Sequence, residues 1–354
     1  MRKLFRTIVA GVGLLAGSIV APAMAADTSK IGVVVPTLDA QFWNSYVDFM
    51  RKGAGELGVD LVVLNADNKP DQMIKSIEDL VAQGVDGIIY TPYWATAVPG
   101  LTMAAQSNIP VILTDTYADF PPQDARFPNY IAFIGPSDRD AGKQMAEALF
   151  AAIKPADDGK KYIAVVNGTA GTSVAIDRRA GLQDALDAHP DVVVVGEVDG
   201  NFVRDTSQTV FESLWQGHPN ITGVWAANGG TATGVMAAIS NAGKVPGKDI
   251  MVVGMDLNPE NVEAVEKGQL LFDIGGHWLQ GGFALVTMYD YLHDHKVPAE
   301  QANIKLSLLP LTKDLVAKFK TDFPGGVPVY DFKAHSQTYN PEAKSAVFEM
   351  KYSQ

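Results

Sequence analysis

The sequence predicts an α/β protein with two domains, each built on a doubly wound parallel sheet. Short apolar runs rich in β-branched residues alternate with segments of helical hydrophobic spacing along most of the 354 residues, a pattern typical of parallel sheets flanked by helices. The alternation restarts near Pro136, and the more than ten strands it predicts exceed the usual size of one open sheet. An eight-stranded barrel is the competing arrangement, and the restart favours two domains.

The first strand and helix place two aromatic side chains at a sheet edge. Ile31–Val35 is a short apolar run before Pro36, as expected of a strand buried on both faces. Apolar residues then recur at helical spacing from Phe42 and Trp43 to Gly58, a residue type that commonly ends helices. Open α/β sheets bind ligands beyond the carboxyl ends of their strands, so both aromatic residues are candidate ligand contacts. The alternative is that they only pack within the first turn of a helix.

The same strand and helix rhythm continues along the chain until its tail. Further strands are predicted at Leu61–Asn65, Gly87–Thr91, Val111–Asp115, Tyr130–Ile134, Tyr162–Asn167, Val192–Val198, Gly223–Asn228, Ile250–Asp256, Leu270–Ile274 and Ile304–Leu309. Further helices are predicted at Asp71–Gln83, Ala95–Ser107, Arg139–Ile153, Val174–Ala188, Asp205–Gln216, Thr231–Ala242, Glu260–Lys267 and His277–His293. The tail from residue 313 is predicted to hold one amphipathic helix and then an irregular stretch covering one domain surface.

The first 25 residues are predicted to be a cleaved signal peptide. A basic start at Arg2, Lys3 and Arg6 precedes an apolar centre, and an Ala-Met-Ala cleavage site ends at Ala25. The mature chain is therefore expected in the periplasm, with no membrane-spanning segment. The chain contains no cysteine, so disulfides and a lipid-anchoring cysteine are excluded. A formal net charge of −12 argues against nucleic acid or anionic lipid as a partner.

The sequence contains no recognised catalytic motif and implies no cofactor. A nucleophile elbow, a P-loop and a zinc-protease helix motif are all missing. The stretch from Gly168 to Ser173 follows a predicted strand and precedes a helix, as a phosphate cradle does, but it lacks the lysine and the spacing. A tight turn capped by Ser or Thr explains it equally well. Asp115 and Asp256 could form a carboxylate pair for glycoside chemistry, but the sequence fixes no separation between them.

Polar side chains with several hydrogen-bonding atoms follow several of the predicted strands. Asp115, Asn228 and Asp256 each end a strand, and Arg178 lies in the first turns of a helix after Gly171. Together with Phe42 and Trp43, these groups suit a sugar or polyol, because aromatic rings stack on its C–H face while planar polar groups bind its hydroxyls. The alternative is that each Asp or Asn merely caps the next helix.

An ordered series of motifs gives the chain a family resemblance. The segments IGVVVPTLDAQFW, VILTD, GTAGTSVAIDRRAGL, NFVRDTSQT, VWAANGGTATGVMAAISNAG and IMVVGMD span roughly residues 30 to 310. In this order they resemble the periplasmic ribose- and galactose-binding proteins, which are solute receptors of ABC importers. The resemblance implies the type I periplasmic binding protein fold, in which three hinge crossovers join two domains around the ligand.

The resemblance also implies which residues contact the ligand. Phe42 and Trp43 match the paired stacking aromatics, and Phe202 matches the aromatic residue that closes on the other sugar face. The polar positions that match ligand-bonding residues of the family are Asp115, Arg178, Asn228 and Asp256.

Several positions depart from the family pattern and leave the identity of the sugar open. Ala40-Gln41 replaces a frequent Asn-Pro, Thr116 replaces a frequent arginine, and Gly275-Gly276 replaces the usual glutamine near the hinge. Tyr93, Trp94 and Trp278 add aromatic surface near the same strand ends, and His277 directly precedes Trp278. Of these, Tyr93, His277 and Trp278 complete a set of ten predicted ligand-binding residues. A different pentose, a deoxy or branched sugar, a polyol or a sugar-like signalling molecule fits at least as well as ribose.

The sequence thus predicts a monomeric, non-enzymatic receptor that delivers a sugar or polyol to an ABC permease of the inner membrane. A receptor that signals to a membrane sensor kinase or chemoreceptor is the alternative, since the fold and pocket would be shared. Residues 26–136 with 276–303 are assigned to the N-terminal domain. Residues 137–275 with 304–354, including a C-terminal extension, are assigned to the C-terminal domain.

Overall fold

The computed structural model describes residues 28–354, which form two α/β lobes with a cleft between them. The predicted signal peptide, residues 1–25, lies outside the described residues. Both lobes contain a parallel sheet covered by helices on its two faces, so the predicted fold class is confirmed. Among the helices of residues 28–354, none has the length and apolar character needed to cross a membrane.

The first lobe contains a six-stranded parallel sheet in the order β11-β5-β4-β3-β1-β2. Alternate residues of its central strand β1 enter different cores, because neighbouring side chains on a strand point to opposite faces. Val33 and Val35 pack with helices α1 and α9, whereas Val34 packs with α2 and α3. The elements are β1 Lys30–Val35, α1 Gln41–Leu57, β2 Asp60–Asn65, α2 Pro70–Ala82, β3 Gly87–Tyr90, α3 Ala97–Gln106, β4 Val111–Thr114, β5 Tyr130–Pro136, α9 Gln280–Leu292 and β11 Asn303–Leu306.

The second lobe contains a four-stranded parallel sheet in the order β7-β6-β8-β9, extended by the antiparallel pair β10-β12. Single bridges from Val253 to Phe272 and from Asp256 to Gly275 join β10 to the end of β9. The elements are α4 Asp138–Ala152, β6 Lys161–Asn167, α5 Ser173–Ala188, β7 Val192–Asp199, α6 Arg204–Gly217, β8 Gly223–Ala226, α7 Gly229–Asn241, β9 Met251–Val253, α8 Pro259–Lys267, β10 Asp273–Gly275, β12 Leu309–Leu311 and α10 Val316–Asp322.

Three segments cross between the lobes, after β5, after β10 and after β11. The third crossing differs from the predicted boundary at residue 304. Strand β11 pairs with β5 of the first sheet, with Asn303 opposite Phe133, so the chain leaves the first lobe only after Leu306. The predicted strand Ile304–Leu309 is therefore two strands in different sheets, separated by the crossing itself.

The tail contacts both lobes, whereas the sequence predicted a cover over one domain surface. Helix α10 packs on α8 of the second lobe, and the short helix α11, Phe332–His335, packs on α1 of the first. Buried Asp290 of α9 accepts hydrogen bonds from Ser336 at 2.5 Å and from the Thr338 hydroxyl at 2.8 Å. The chain then returns to the second lobe, where the Ser353 backbone N–H donates to Asp322 at 2.8 Å.

Candidate ligand-binding cleft

A cavity of about 450 Å³ lies between the lobes at the carboxyl ends of both parallel sheets. Its volume is within the usual range for sites that enclose a small molecule. Nine of the ten residues predicted from the sequence line it: Phe42, Trp43, Tyr93, Asp115, Arg178, Phe202, Asn228, Asp256 and His277.

Aromatic side chains form the first-lobe wall of the cavity. Trp43 meets the rings of Phe42 and Tyr93 edge-on, at centroid distances of 4.9 and 6.3 Å. Phe42 also lies 4.6 Å from the ring of His277 at a tilt of 37°. These rings therefore pack against one another, and the wall is formed in the absence of a ligand. Phe42 and Trp43 do begin a packed helix, as the alternative interpretation held, and they line the cleft as well.

Asp115 is held by a buried network directly after β4. Its backbone is in the left-handed region with φ of 64°, a costly conformation for this residue that is often found at ligand sites. Gln280 fixes it twice, by accepting from its backbone N–H at 3.2 Å and by donating to Oδ1 at 3.1 Å. The Tyr93 hydroxyl donates to Oδ2 at 3.3 Å. The next helix after Asp115 in the described chain begins more than 20 residues later, so Asp115 does not cap the helix that follows it.

Arg178 extends from α5 of the second lobe into the cleft. Its Nε donates to Asp138 Oδ1 at 2.7 Å, and its Nη1 donates to the carbonyl of Ala227 at 3.0 Å. The guanidinium carbon lies 5.5 Å from the ring centre of Phe202. Three fixed contacts therefore orient the guanidinium plane, which is the geometry required to bind two oxygens of a ligand in parallel.

Phe202 reaches the cavity because the loop after β6 makes room for it. A side chain at Gly168 would collide with the Phe202 ring, and Phe202 itself has φ of 61°. The loop is a tight turn in which Thr172 caps α5, with its hydroxyl accepting from Ala175 N at 3.3 Å. The turn interpretation of the stretch 168–173 therefore accounts for its glycine-rich sequence without a phosphate.

Asn228 and Asp256 both bind the start of α7. Asn228 caps this helix, because its Oδ1 accepts from Thr231 N at 2.8 Å, and it leaves its amide nitrogen available to the cleft. Asp256 accepts from the backbone N–H of Gly229 at 3.0 Å and does not cap the helix that follows it in sequence. Asp256 also has a positive φ, of 116°. Helix capping thus explains the role of the Asn228 Oδ1 atom, but capping of the next helix does not explain where Asp256 lies.

Trp278 is the predicted site residue that lies outside the cleft. It packs edge-on against Phe49 at 5.8 Å and faces a separate apolar groove beside Phe319 and Phe323. It adjoins His277 in a 3₁₀ turn, where successive side chains point about 120° apart. Only one of the two can therefore enter the cavity. Trp94 likewise packs against Tyr93 at 5.5 Å without lining the cavity.

Two buried residues that hold cavity-lining side chains in place were missed from the sequence. Asp138 begins α4 and forms the ion pair with Arg178, and Gln280 begins α9 and holds Asp115. Both are polar residues in the first turn of a helix, a position that sequence reasoning assigns to ordinary capping. Gly275-Gly276 lacks the glutamine that the family usually has near the hinge, which was a reason to look for another amide nearby. Gln280, a few residues later, supplies an amide group and binds Asp115.

Comparison with known proteins identifies the family. The profile described as "Periplasmic binding protein domain" matches residues 31–296. The chain belongs to the periplasmic binding protein domain family.

Among its relatives in this family is the ribose import binding protein of Escherichia coli (strain K12). The two are 36% identical over 271 residues, covering 76% of this chain and 85% of the relative. The galactofuranose-binding protein of the same organism is 29% identical over 262 residues, covering 73% and 80%. A solved structure, the binding component of the arabinose ABC transporter from Shewanella sp. ANA-3 bound to α- and β-L-arabinofuranose, matches with a TM-score of 0.73 and 26% identity, covering 82% and 93%.

The cleft of this family member holds three buried carboxyl groups around one arginine. Burial raises the pKa of Asp138 and that of Asp256 to about 7, and Arg178 opposes both shifts. Burial also raises the pKa of Asp115. The charges of Arg178 and, for Asp115 and Asp138, of Lys305 only partly offset this burial, so the protonated form of these carboxyl groups is favoured relative to a free aspartate. A neutral carboxyl group can donate a hydrogen bond as well as accept one. It can therefore bind a ligand hydroxyl through either the oxygen or the hydrogen of that hydroxyl.

His277 is a neutral, fully buried ring in this site. Burial is the largest cause that holds its pKa well below the usual value, and the charge of Arg178 acts in the same direction. Its Nε2 lies 3.7 Å from Asp256 Oδ1, and its Nδ1 has no protein partner among the described residues. The imidazole therefore faces the second lobe from the hinge with unused hydrogen-bonding capacity.

The raised pKa of Asp256 predicts a pH-dependent stability of the ligand-free protein. Its stabilising contribution is complete below the ordinary value of 3.8 and is lost as the pH rises through about 7. We therefore expect the unfolding free energy of the wild type to gain roughly 1 kcal/mol more than that of Asp256→Asn when the pH falls from 8 to 6. Urea unfolding at the two pH values measures this difference. His277→Gln in both backgrounds removes the opposite pH dependence of the neighbouring imidazole, and equal pH responses of the resulting pair would contradict the assignment.

Proposed function

We propose that this protein captures a neutral sugar or polyol between its lobes and delivers it to the permease of an ABC importer from the periplasm. The observation that carries the proposal is the composition of the cavity wall. Trp43 of the first lobe and Phe202 of the second supply aromatic faces, while Asp115, Arg178 and Asn228 supply planar polar groups. Apolar C–H faces and hydroxyl groups occur together in a sugar ring, and this wall offers partners to both.

Domain closure gives such a receptor its selectivity. When the lobes close, ligand hydroxyls and protein polar groups lose contact with water together. A sugar that fails to pair with Asp115 or Arg178 then leaves a buried polar group unsatisfied, at a cost of about 1–3 kcal/mol per group. The names of three relatives refer to ribose, galactofuranose and L-arabinofuranose, which supports a monosaccharide as the ligand.

The charges of the cleft favour a neutral ligand over a sugar acid. Arg178 is already paired with Asp138, and the carboxyl groups of Asp115 and Asp256 remain beside it. A carboxylate on the ligand would add a further negative charge to this buried cluster, which is costly in a low-dielectric site. A hydroxyl group carries no such cost.

A thermal-shift panel tests the function. The panel contains D-ribose, L-arabinose, D-galactose, xylitol and myo-inositol, each paired with a matched acid where one exists, such as L-arabinonate and D-galacturonate. A ligand that binds only the folded state raises the melting temperature with its concentration. We expect a rise with at least one neutral compound and none with its acid. A rise with the acids alone would refute the neutral class, and a flat response of refolded, ligand-stripped protein would refute the sugar proposal.

A tryptophan pair tests the aromatic wall. We expect Trp43→Ala to weaken binding of the panel sugar by more than about tenfold, because the ligand loses a stacking face. Trp278→Ala is the matched control, since Trp278 is equally buried but lies outside the cavity. Isothermal titration should give the control a wild-type Kd even if its melting temperature falls. Equal losses of affinity in the two variants would show that the effect is one of stability.

A further inference from the structure

Tyr117 joins the first lobe directly to the second outside the ligand cavity. Its backbone N–H donates to the Ser173 hydroxyl at 3.0 Å, and its own hydroxyl donates to Asp177 Oδ2 at 2.8 Å. Tyr117 follows β4 of the first lobe, whereas Ser173 and Asp177 belong to α5 of the second. The two acceptors are four residues apart and so lie on one face of the helix.

Each partner of this contact is next to a ligand-site residue of its own lobe. Tyr117 lies two residues after Asp115, and Asp177 directly precedes Arg178. A movement that separated Tyr117 from α5 would therefore also separate Asp115 from Arg178. The contact and the cavity wall depend on the same relative position of the lobes.

Lys305 holds the Tyr117 ring in position. Its ammonium group lies 3.9 Å from the centre of that ring and 4.8 Å from the ring of Phe133, which are cation–π distances. Tyr117 also meets Phe133 edge-on at 5.7 Å. Lys305 belongs to β11, which ends at the next residue, Leu306, where the third crossing begins. First-lobe residues thus fix the ring of Tyr117. The residue contacts the second lobe through its hydroxyl and its backbone N–H.

We propose that Tyr117 is a positioning residue whose bonds to Ser173 and Asp177 latch the lobes in the closed arrangement. The latch rests on the proposed function, because it can add to affinity only if closure of the lobes encloses a ligand. The latch touches no ligand itself and acts through the positions of Asp115 and Arg178. Because its partners separate when the lobes open, it adds to ligand affinity and to the closed population, and adds nothing to the stability of either lobe.

A double-mutant cycle on the latch tests the effect on affinity. The probe is D-ribose or the panel sugar that gives the larger thermal shift. Tyr117→Phe removes one charge-assisted bond and is expected to weaken binding about tenfold, mostly through faster dissociation. Asp177→Ala should weaken binding at least as much, because it also removes the attraction between Asp177 and Lys305 of the first lobe. Tyr117→Phe should have no further effect in the Asp177→Ala protein, since the bond between them is already lost. Asp177→Asn keeps an acceptor oxygen and should retain most of the affinity.

Tyr162→Phe is the matched control. Tyr162 and Asp158 form a tyrosine–aspartate bond within the second lobe, so its loss should leave the Kd unchanged. A role of Tyr117 in the fold alone would lower the unfolding free energy of the ligand-free protein and leave the Kd intact. Additive effects of Tyr117→Phe and Asp177→Ala, or a Kd unchanged by either, would overturn the latch.

A measurement without ligand separates failure of the latch from failure of the sugar proposal. The chain has no cysteine, so Lys69→Cys in the first lobe and Thr209→Cys in the second provide two unique spin-label sites. Both are exposed, and neither lines the cavity. We expect Tyr117→Phe to increase the fraction of long inter-label distances in the ligand-free protein. An unchanged distance distribution would overturn the latch whether or not any sugar binds.

Discussion

Replacing Arg178 by alanine is expected to weaken sugar binding by at least about 100-fold. The guanidinium is a buried positive charge that lines the cavity, and its contacts to Asp138, Ala227 and Phe202 hold it in a fixed orientation there. Each hydrogen bond between a charged group and a ligand oxygen contributes about 1.5–3 kcal/mol. The loss of two such bonds accounts for the expected change in Kd, which isothermal titration measures.

The same substitution is expected to destabilise the ligand-free protein in a pH-dependent way. Asp138 is buried and would lose its ion-pair partner, a change that typically costs about 3–5 kcal/mol. Protonation relieves part of this cost because the unpaired carboxyl group becomes neutral. The destabilisation of Arg178→Ala relative to the wild type should therefore be larger at pH 8 than at pH 6.

Two further variants keep this prediction testable if Arg178→Ala does not fold. Arg178→Lys retains the positive charge but lacks the planar fork, so it should fold and still lose most of the affinity. Arg179→Ala is the matched control, since the neighbouring arginine forms a surface ion pair with Glu197 at 2.8 Å and such pairs contribute little. A wild-type Kd for Arg178→Lys would show that the site requires a charge and not a fork.

The alternating architecture and most of the cleft could be predicted because both follow from local sequence patterns. Strand and helix periods differ, so the order of elements is readable from the spacing of apolar residues. Carboxyl ends of parallel strands meet at one sheet edge, so Asp115 and Asp256 could be brought together without knowledge of any contact. The family resemblance then supplied Phe202, which lies in a helix-start loop with no periodic signal.

The residues that sequence reasoning misplaced depend on directions and distant contacts. Trp278 and His277 are adjacent, and only the hinge conformation decides which of them enters the cavity. Gln280 reaches a partner 165 positions away in the chain, and Asp138 reaches one 40 positions away. The end of the first lobe at Leu306 depends on pairing between β11 and β5. None of these features leaves a local pattern in the sequence.

Replacing Phe332 by alanine is expected to cost about 3–5 kcal/mol of unfolding free energy, because a fully buried ring is lost from a packed core. The ring lies 5.0 Å from that of Phe49 and 4.7 Å from that of Tyr330. A side chain at Gly53 would collide with it, and one at Gly282 would collide with Phe49 and crowd the Phe332 ring, so two helices of the first lobe leave room for it. Such a loss is a large part of the stability of a typical domain.

Val329→Ala is the control for Phe332→Ala, since Val329 lies three residues earlier in the tail and is 91% exposed. Urea unfolding of the ligand-free protein should separate the two variants by several kcal/mol, and equal stabilities would contradict a core role for the tail. Helix α1 explains why a difference is expected. One part of it carries Phe42 and Trp43 into the cleft, while Phe49 and Gly53 face α11. The tail, which begins after the matched residues 31–296, therefore buries a second apolar face of the helix whose Phe42 and Trp43 line the cavity.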